Sequence, residues 1–198
     1  MAGVQVEVRK LSVEPMDNNV YLLTETGSGA AVLIDAANEA DRILAEVGDR
    51  DIAAIVTTHG HGDHWQALDA VADATGAPVY LHPDDAEMVP RRAEVPVVDL
   101  GRIRFGAAEV ELLHTPGHTP GSTCVLLGDR HLFSGDTLFP GGPGNTATPQ
   151  GDFPTIMHSL RIRLFALDDG TWVYPGHGDD TTIGAERPSL QDWEARGW

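Results

Sequence analysis

The chain has 198 residues, 41 % of them hydrophobic, and carries a formal net charge of −17. That length and apolar content suit a single globular domain, 1–198, with a sizeable core. The acidic balance and the few scattered arginines (Arg91-Arg92, Arg161, Arg163) argue against nucleic acid, whose phosphates need clustered cations. No run of about 18 apolar residues argues for a membrane span, and the single cysteine, Cys124, excludes an internal disulfide framework. The opening stretch, residues 1–7, has no basic segment followed by an apolar one, so a cytoplasmic location is expected.

Residues 4–11 alternate Val4, Val6 and Val8 against Gln5, Glu7 and Arg9, the period-two pattern of a half-buried strand. A turn over 14–19 leads to a second strand, 20–24, and Thr26-Gly27-Ser28-Gly29 turns the chain into a third, 30–34, ending at Asp35. From Asn38 an amphipathic helix is expected, with Ile43, Leu44 and Val47 at helical spacing and Gly48 closing it. The almost wholly apolar run 52–57 reads as a strand covered on both faces. Beyond it, Ala67, Leu68, Val71 and Ala72 give a helix ended by Gly76, followed by a short strand 79–81 and a short helix starting at His82-Pro83-Asp84-Asp85. Hairpins are expected at 102–105 with 109–113, around Gly106, and at 122–127 with 131–133, around Gly128-Asp129. Residues 141–151, rich in Gly, Pro and small polar residues, read as an irregular loop, 153–167 as a helix and 172–174 as a last strand, with a short tail over 188–198. Strands grouped at the start and centre with helices between them suggest a layered α/β arrangement of two sheets with helices outside.

The chemistry is concentrated in Thr57-Thr58-His59-Gly60-His61-Gly62-Asp63-His64-Trp65, between strand 52–57 and a helical pattern. Imidazole and carboxylate are ligands that borderline divalent metals favour. Glycine spacers let the backbone bend tightly enough for several of them to face one point. Three further stretches repeat the design of strand, Gly-rich turn and ligand-capable residue: 114–122 around His118, then Phe133-Ser134-Gly135-Asp136-Thr137, then Tyr174-Pro175-Gly176-His177-Gly178. Four loops at four strand ends can converge on one edge of a sheet sandwich. The natural division is His59, His61 and His118 on one ion, Asp63, His64 and His177 on a second, and Asp136 bridging.

The H-x-H-x-D-H run with a later His, Asp and His resembles the metallo-β-lactamase superfamily. Within it the likeness is to the glyoxalase II-like hydrolases, in the short form without their helical carboxy-terminal domain. The likeness runs from Asn19-Val20-Tyr21-Leu22-Leu23 through Gly184-Ala185-Glu186-Arg187 and includes all the ligand positions of the two-metal pattern. It implies a four-layer αββα sandwich with two divalent ions at one edge between the sheets. Zinc is the first choice, with iron or manganese as alternatives, since N and O donors alone do not choose among them. The secreted β-lactamases match less well: their second site typically lacks the bridging aspartate, and they carry an export signal.

The implied activity is hydrolysis of a thioester or ester, such as a hydroxyacyl conjugate of a small thiol, by a monomer or homodimer. Two divalent ions about 3.5–4 Å apart lower the pKa of shared water from about 15.7 towards about 7, which supplies a hydroxide at neutral pH. Asp63 is assigned to orient that nucleophile and Asp136 to fix the metal separation. Asp63 and His64 are expected to open the following helix, whose positive end suits a carboxylate. Ligating histidines donate their other N–H to an oxygen, and Asp35, Thr58 and Ser134 are candidates to receive it. Loop 139–146 is expected to border the substrate, with Gly142, Asn145 and Thr146 nearest it. The missing helical domain leaves the thiol carrier open. A second reading is a persulfide dioxygenase with one iron on His59, His118 and Asp136, a facial triad suited to oxygen activation. A third, a nucleic-acid phosphodiesterase, is disfavoured by the charge. His82, His114, His131 and His158 read as structural, Cys124 as a small core residue, and Trp65 as packing the helix start. Arg187 reads equally as a substrate contact or a surface ion pair.

Overall fold

Side-chain alternation along the strands builds the layers. The computed structural model describes residues 4–197, so residues 1–3 of the stretch read for an export signal, and Trp198 of the tail, lie outside the described residues. One sheet runs in sequence order: β1 (Val6–Val13), β2 (Asn18–Glu25), β3 (Ala31–Ile34), β4 (Ile52–Val56), β5 (Val79–Leu81) and β6 (Val95–Pro96). Its first three strands pair antiparallel and the rest parallel. Next come β7 (Arg102–Phe105), β8 (Ala108–His114), β9 (Thr123–Leu127), β10 (His131–Gly135), the small pair β11 (Leu138–Phe139) and β12 (Gly142–Pro143), β13 (Trp172–Pro175) and β14 (Thr181–Thr182). The second sheet has the order β14-β13-β10-β9-β8-β7.

Leu22, Leu33 and Ile55 sit opposite one another on β2, β3 and β4. They pack outward against Ile43 and Val47 of helix α1 (Ala40–Val47) and Leu68 and Val71 of α2 (Leu68–Thr75). Their chain neighbours Tyr21, Leu23, Val32, Ile34, Ala54 and Val56 point the other way and meet Val110, Leu112, Val125 and Phe133 of the second sheet. On the far side of that sheet Cys124, Leu132 and Val173 pack with Ile156 of α3 (Phe153–Ser159), with Leu160 and Leu164, and with Trp193 of α5 (Leu190–Arg196). The short helix α4 (Ile183–Glu186) precedes α5. Three apolar layers therefore separate four structural ones, which is the expected αββα sandwich. Each large side chain buried in them contributes about 1.5–3 kcal/mol.

Strands β4, β8, β10 and β13 deliver their ends to one edge of this sandwich. Backbone hydrogen bonds stitch that edge together: Thr123 N to Thr58 O at 2.9 Å, Gly176 N to Gly135 O at 2.9 Å and Asn19 N to Gly176 O at 2.7 Å. Among the described residues no helix is long and apolar enough to cross a membrane.

Several local expectations are revised. Asn18 and Asn19 belong to β2 rather than to the turn, because the pairing Val13 with Asn18 starts the ladder earlier. The helix expected over 153–167 is α3 followed by a π-helical turn, Leu160–Leu164, closed by Phe165 N to Leu160 O at 2.8 Å. The short tail carries a helix: in α5 Trp193, 2 % exposed, is buried beside Phe165 with ring centroids 6.2 Å apart. The irregular loop opens with the β11–β12 pairing.

Phe133 stacks on Tyr174 and meets Tyr21 edge-on, each at 5.0 Å between centroids. Replacing it with alanine is expected to cost about 3–5 kcal/mol of unfolding free energy in urea titrations, mostly as a cavity between the sheets. A change near zero would contradict this account of the core.

Candidate metal centre

Strand β4 ends at Val56, and the next eight residues turn across the sandwich edge, with His59 and His64 buried and His61 and Asp63 partly exposed. The pair Asp63-His64 does not open α2. It lies in a separate 3₁₀ turn, Gly62–His64, and α2 starts at Leu68. Trp65 separates the two, donating its indole N–H to Gly60 O at 2.9 Å and packing against the outer core. His118 follows β8, Asp136 follows β10 and His177 follows β13. Their ligand-capable atoms fall into overlapping groups, each within 4.8 Å: His59, His61 and His118; His59, His64 and Asp136; Asp63, His64 and His177. Asp136 lies between them, with Oδ1 3.4 Å from His64 Nε2 and Oδ2 3.6 Å from His118 Nε2 and 3.5 Å from His177 Nε2.

Hydrogen bonds to the outer nitrogens decide which ring nitrogens face inward. His64 Nδ1 donates to Asp35 Oδ2 at 3.0 Å, His118 Nδ1 to Asn145 O at 2.8 Å, and His177 Nδ1 to Met16 O at 2.9 Å. His59 Nδ1 donates to Thr58 Oγ1 at 3.1 Å, and Thr58 Oγ1 passes a hydrogen bond to Asp35 Oδ2 at 2.8 Å. In each case Nε2 is left facing inward, the arrangement that a metal-ligating histidine needs. Two of the inward atoms, His59 Nε2 and Asp136 Oδ1, are buried with no hydrogen-bond partner. His61 Nδ1 and His118 Nε2 face each other at 2.8 Å, and His64 Nε2 and His177 Nε2 at 3.2 Å. Orphaned buried acceptors are costly without a cation to bind them, and a cation between the facing nitrogens would take both as ligands. The donor set therefore fits divalent metal.

Asp35 and Thr58, both expected behind the ligands, stand there. Asp35 also accepts Thr58 N at 2.7 Å and adopts φ 55°, an unfavourable backbone for a non-glycine that its three donors offset. Ser134 does not make the expected contact. Period-two alternation points it outward with Leu132, and its hydroxyl donates to Leu138 O at 2.9 Å. Asn145 serves through its backbone oxygen on His118. Gly142 and Asn145 line a cavity of about 300 Å³ with Phe139 and Arg196, whereas Thr146 is not among its lining residues. Arg187 is an ion-pair residue: it bonds Asp169 and Leu167 O. Cys124 is fully buried, which pushes its thiol up to about 11. His82 and His114 lie near Asp84, but their rings stack at 3.9 Å and 10°, so their lone pairs run in parallel planes instead of converging. Asn18, read from sequence as a turn residue, is a site residue that was missed. Its amide donates to Asp63 Oδ2 at 3.0 Å, and only its burial gives that away.

Charge divides the cluster in two. Burial pushes His59 well below the ordinary imidazole range, reinforced by His64, and burial with His118 lowers His61. Burial also works against charge on His64 and His177, but neighbouring carboxylates win: Asp136 and Asp35 raise His64, and Asp136 and Asp63 hold His177 up to about 10. Asp136 and Asp63 are lowered in spite of burial, by His64 and His177.

Metal-free protein at neutral pH thus keeps protons on His64 and His177, and a cation must displace them. Binding at pH 7 is expected to release roughly two protons, read by calorimetry in buffers of different ionisation enthalpy. Occupancy of the Asp63, His64 and His177 group should rise as pH increases towards 10, because both imidazoles are held above their ordinary range, whereas His59 and His61 are held below it. No proton release would contradict this division.

Residues 13–177 match the family model for the metallo-beta-lactamase superfamily. A Haemophilus influenzae protein named hydroxyacylglutathione hydrolase GloC is 30 % identical, over 93 % of this chain and 96 % of that one. Solved structures with the same fold include BLEG-1 B3 metallo-beta-lactamase, with TM-score 0.85 and 28 % identity over 92 % of this chain and 97 % of that one. ETHE1 from Myxococcus xanthus gives 0.83 and 34 %, over 91 % and 81 %. TTHA1623 in a di-iron-bound form gives 0.77 and 36 %, over 91 % and 97 %. The family model and these near full-length likenesses lead to one conclusion: the chain belongs to the metallo-beta-lactamase superfamily of metal-dependent hydrolases.

Proposed function

We propose that this chain is a binuclear hydrolase of thioesters or esters, acting on a small hydroxyacyl-thiol or related acyl compound. The observation that carries this reading is the Asp136 carboxylate, set between a three-histidine group and a complete second group of Asp63, His64 and His177. The likeness to GloC and to a di-iron structure supports it.

His59, His61 and His118 would hold one ion, Asp63, His64 and His177 the other, and Asp136 both. Two divalent cations held there would supply a hydroxide nucleophile and polarise an acyl oxygen. The chain's own groups do the rest. Asp63 Oδ2, 3.2 Å from His177 Nε2 and steadied by the Asn18 amide, is the carboxylate that would orient the nucleophile. His61, Asp63, Asp136 and His177 are the partly exposed members of the set, so substrate arrives on their side. Phe139, with its ring 6.3 Å from that of His177, and the small residues of the loop after it border that approach.

A second reading, a mononuclear-iron persulfide dioxygenase on His59, His118 and Asp136, is favoured by the 34 % identity to ETHE1. Elemental analysis of protein purified without added metal or chelator separates the two. Two ions per chain, with turnover of S-lactoylglutathione, another acyl thiol or a lactone and no oxygen uptake, are the expected results. One iron with oxygen uptake on a persulfide gives the dioxygenase. Failure to hydrolyse any thioester or ester, with β-lactams included as a control, would sink the hydrolase reading. In the active enzyme Asp63→Asn should lower kcat by about 10²–10⁴-fold.

A further inference from the structure

We infer that Asp85, a carboxylate outside the ligand set, is the positioning residue for the first metal group, His59, His61 and His118, and not for the second. It follows β5 in a one-turn 3₁₀ helix, Pro83–Asp85, and is fully buried. Its Oδ2 accepts Gly60 N at 2.8 Å and Thr119 Oγ1 at 2.7 Å, and its Oδ1 accepts Gly121 N at 2.7 Å. Gly60 lies between His59 and His61, and Thr119 follows His118. One buried side chain therefore ties together the two loops that carry this group.

The bonds are short and charge-assisted, the kind that fix geometry most firmly. Desolvating a carboxylate is expensive, so losing any donor here is penalised beyond the bond itself. The close approach also accounts for two glycines. A Cβ on Gly121 would lie 2.6 Å from Asp85 Cγ, and one on Gly60 would lie 2.6 Å from Met88 Cβ and 3.2 Å from Asp85 Cβ. Neither has positive φ, so Gly60 is there for space and not, as its sequence context suggests, for a bend. His61 and His118 come from the two different loops, and their ring nitrogens face each other at 2.8 Å. Asp85 holds both backbones in that arrangement beforehand, and preorganised ligands bind metal more tightly.

The second group has its own supports: Asp35 on His64, the Asn18 amide on Asp63 and Met16 O on His177. Asp85 touches none of these.

The inference rests on the two-ion division proposed above, and metal counting in variants tests each separately. Wild type should hold two ions. Asp85→Asn, which keeps the shape but turns amide hydrogens towards the donors, should weaken the first site by about 10–100-fold and leave one ion. Adding His177→Ala to it should remove the remaining ion, whereas adding His118→Ala should not. Cooperative thermal unfolding of the metal-free variant checks the fold. If Asp85→Asn does not fold, Thr119→Val removes one donor, keeps the carboxylate and should weaken the same site to a smaller degree. Asp85→Asn holding both ions at wild-type affinity, or losing its last ion on His118→Ala, overturns the inference. A wild type with one ion that His118→Ala removes defeats the two-ion reading alone, and Asp85→Asn must still weaken that ion. One ion removed only by His177→Ala overturns both.

Discussion

The cluster at the sandwich edge depends on a single constraint: the outer nitrogen of each buried histidine is committed to an oxygen. Asp35, Thr58, Asn145 O and Met16 O each take one N–H, and that turns the four Nε2 atoms inward. Without those acceptors the rings would be free to turn, and the same side chains would form a hydrogen-bonded polar patch. With them, the inward atoms His59 Nε2 and Asp136 Oδ1 are buried without a protein partner, which is the condition for a site that demands a cation.

The two sheets make this possible by burying everything else. Their facing layers are apolar up to the strand ends, where the polar loops begin. Gly176 shows how tightly the edge is assembled. A Cβ there would lie 2.2 Å from Asp136 Oδ1 and 2.6 Å from His64 Cε1. The bridging carboxylate and the buried histidine occupy the space that any larger residue would need. Backbone strain at Asp35 belongs to the same economy, since its left-handed conformation turns both carboxylate oxygens towards Thr58 and His64.

Electrostatics then distinguishes the two halves of the cluster. In the three-histidine half burial holds His59 and His61 below the ordinary imidazole range, and Asp85 ties together the two loops that carry it. The other half pairs two carboxylates with two imidazoles and is held by charge even without metal. The halves therefore differ in what assembles them, although one loop, 59–64, contributes to both.

Local sequence determined the strands with clear alternation, the apolar β4, the four strand-turn-ligand stretches and the seven ligand-capable residues, because periodicity and donor chemistry are properties of short segments. The αββα layering was legible through the superfamily likeness. Tertiary structure alone decided the remainder. Helix α5 exists because Trp193 finds Phe165, and Ser134 faces away because of its register on β10. Asn18 and Asp85 act from positions 45 residues before Asp63 and 25 residues after Gly60. Nothing in the residues around Asp85 marks it, since a carboxylate's partners are chosen by what folding brings to it. Sequence supplied the ligands, and only the packing of distant loops determined which atoms of them face the metal.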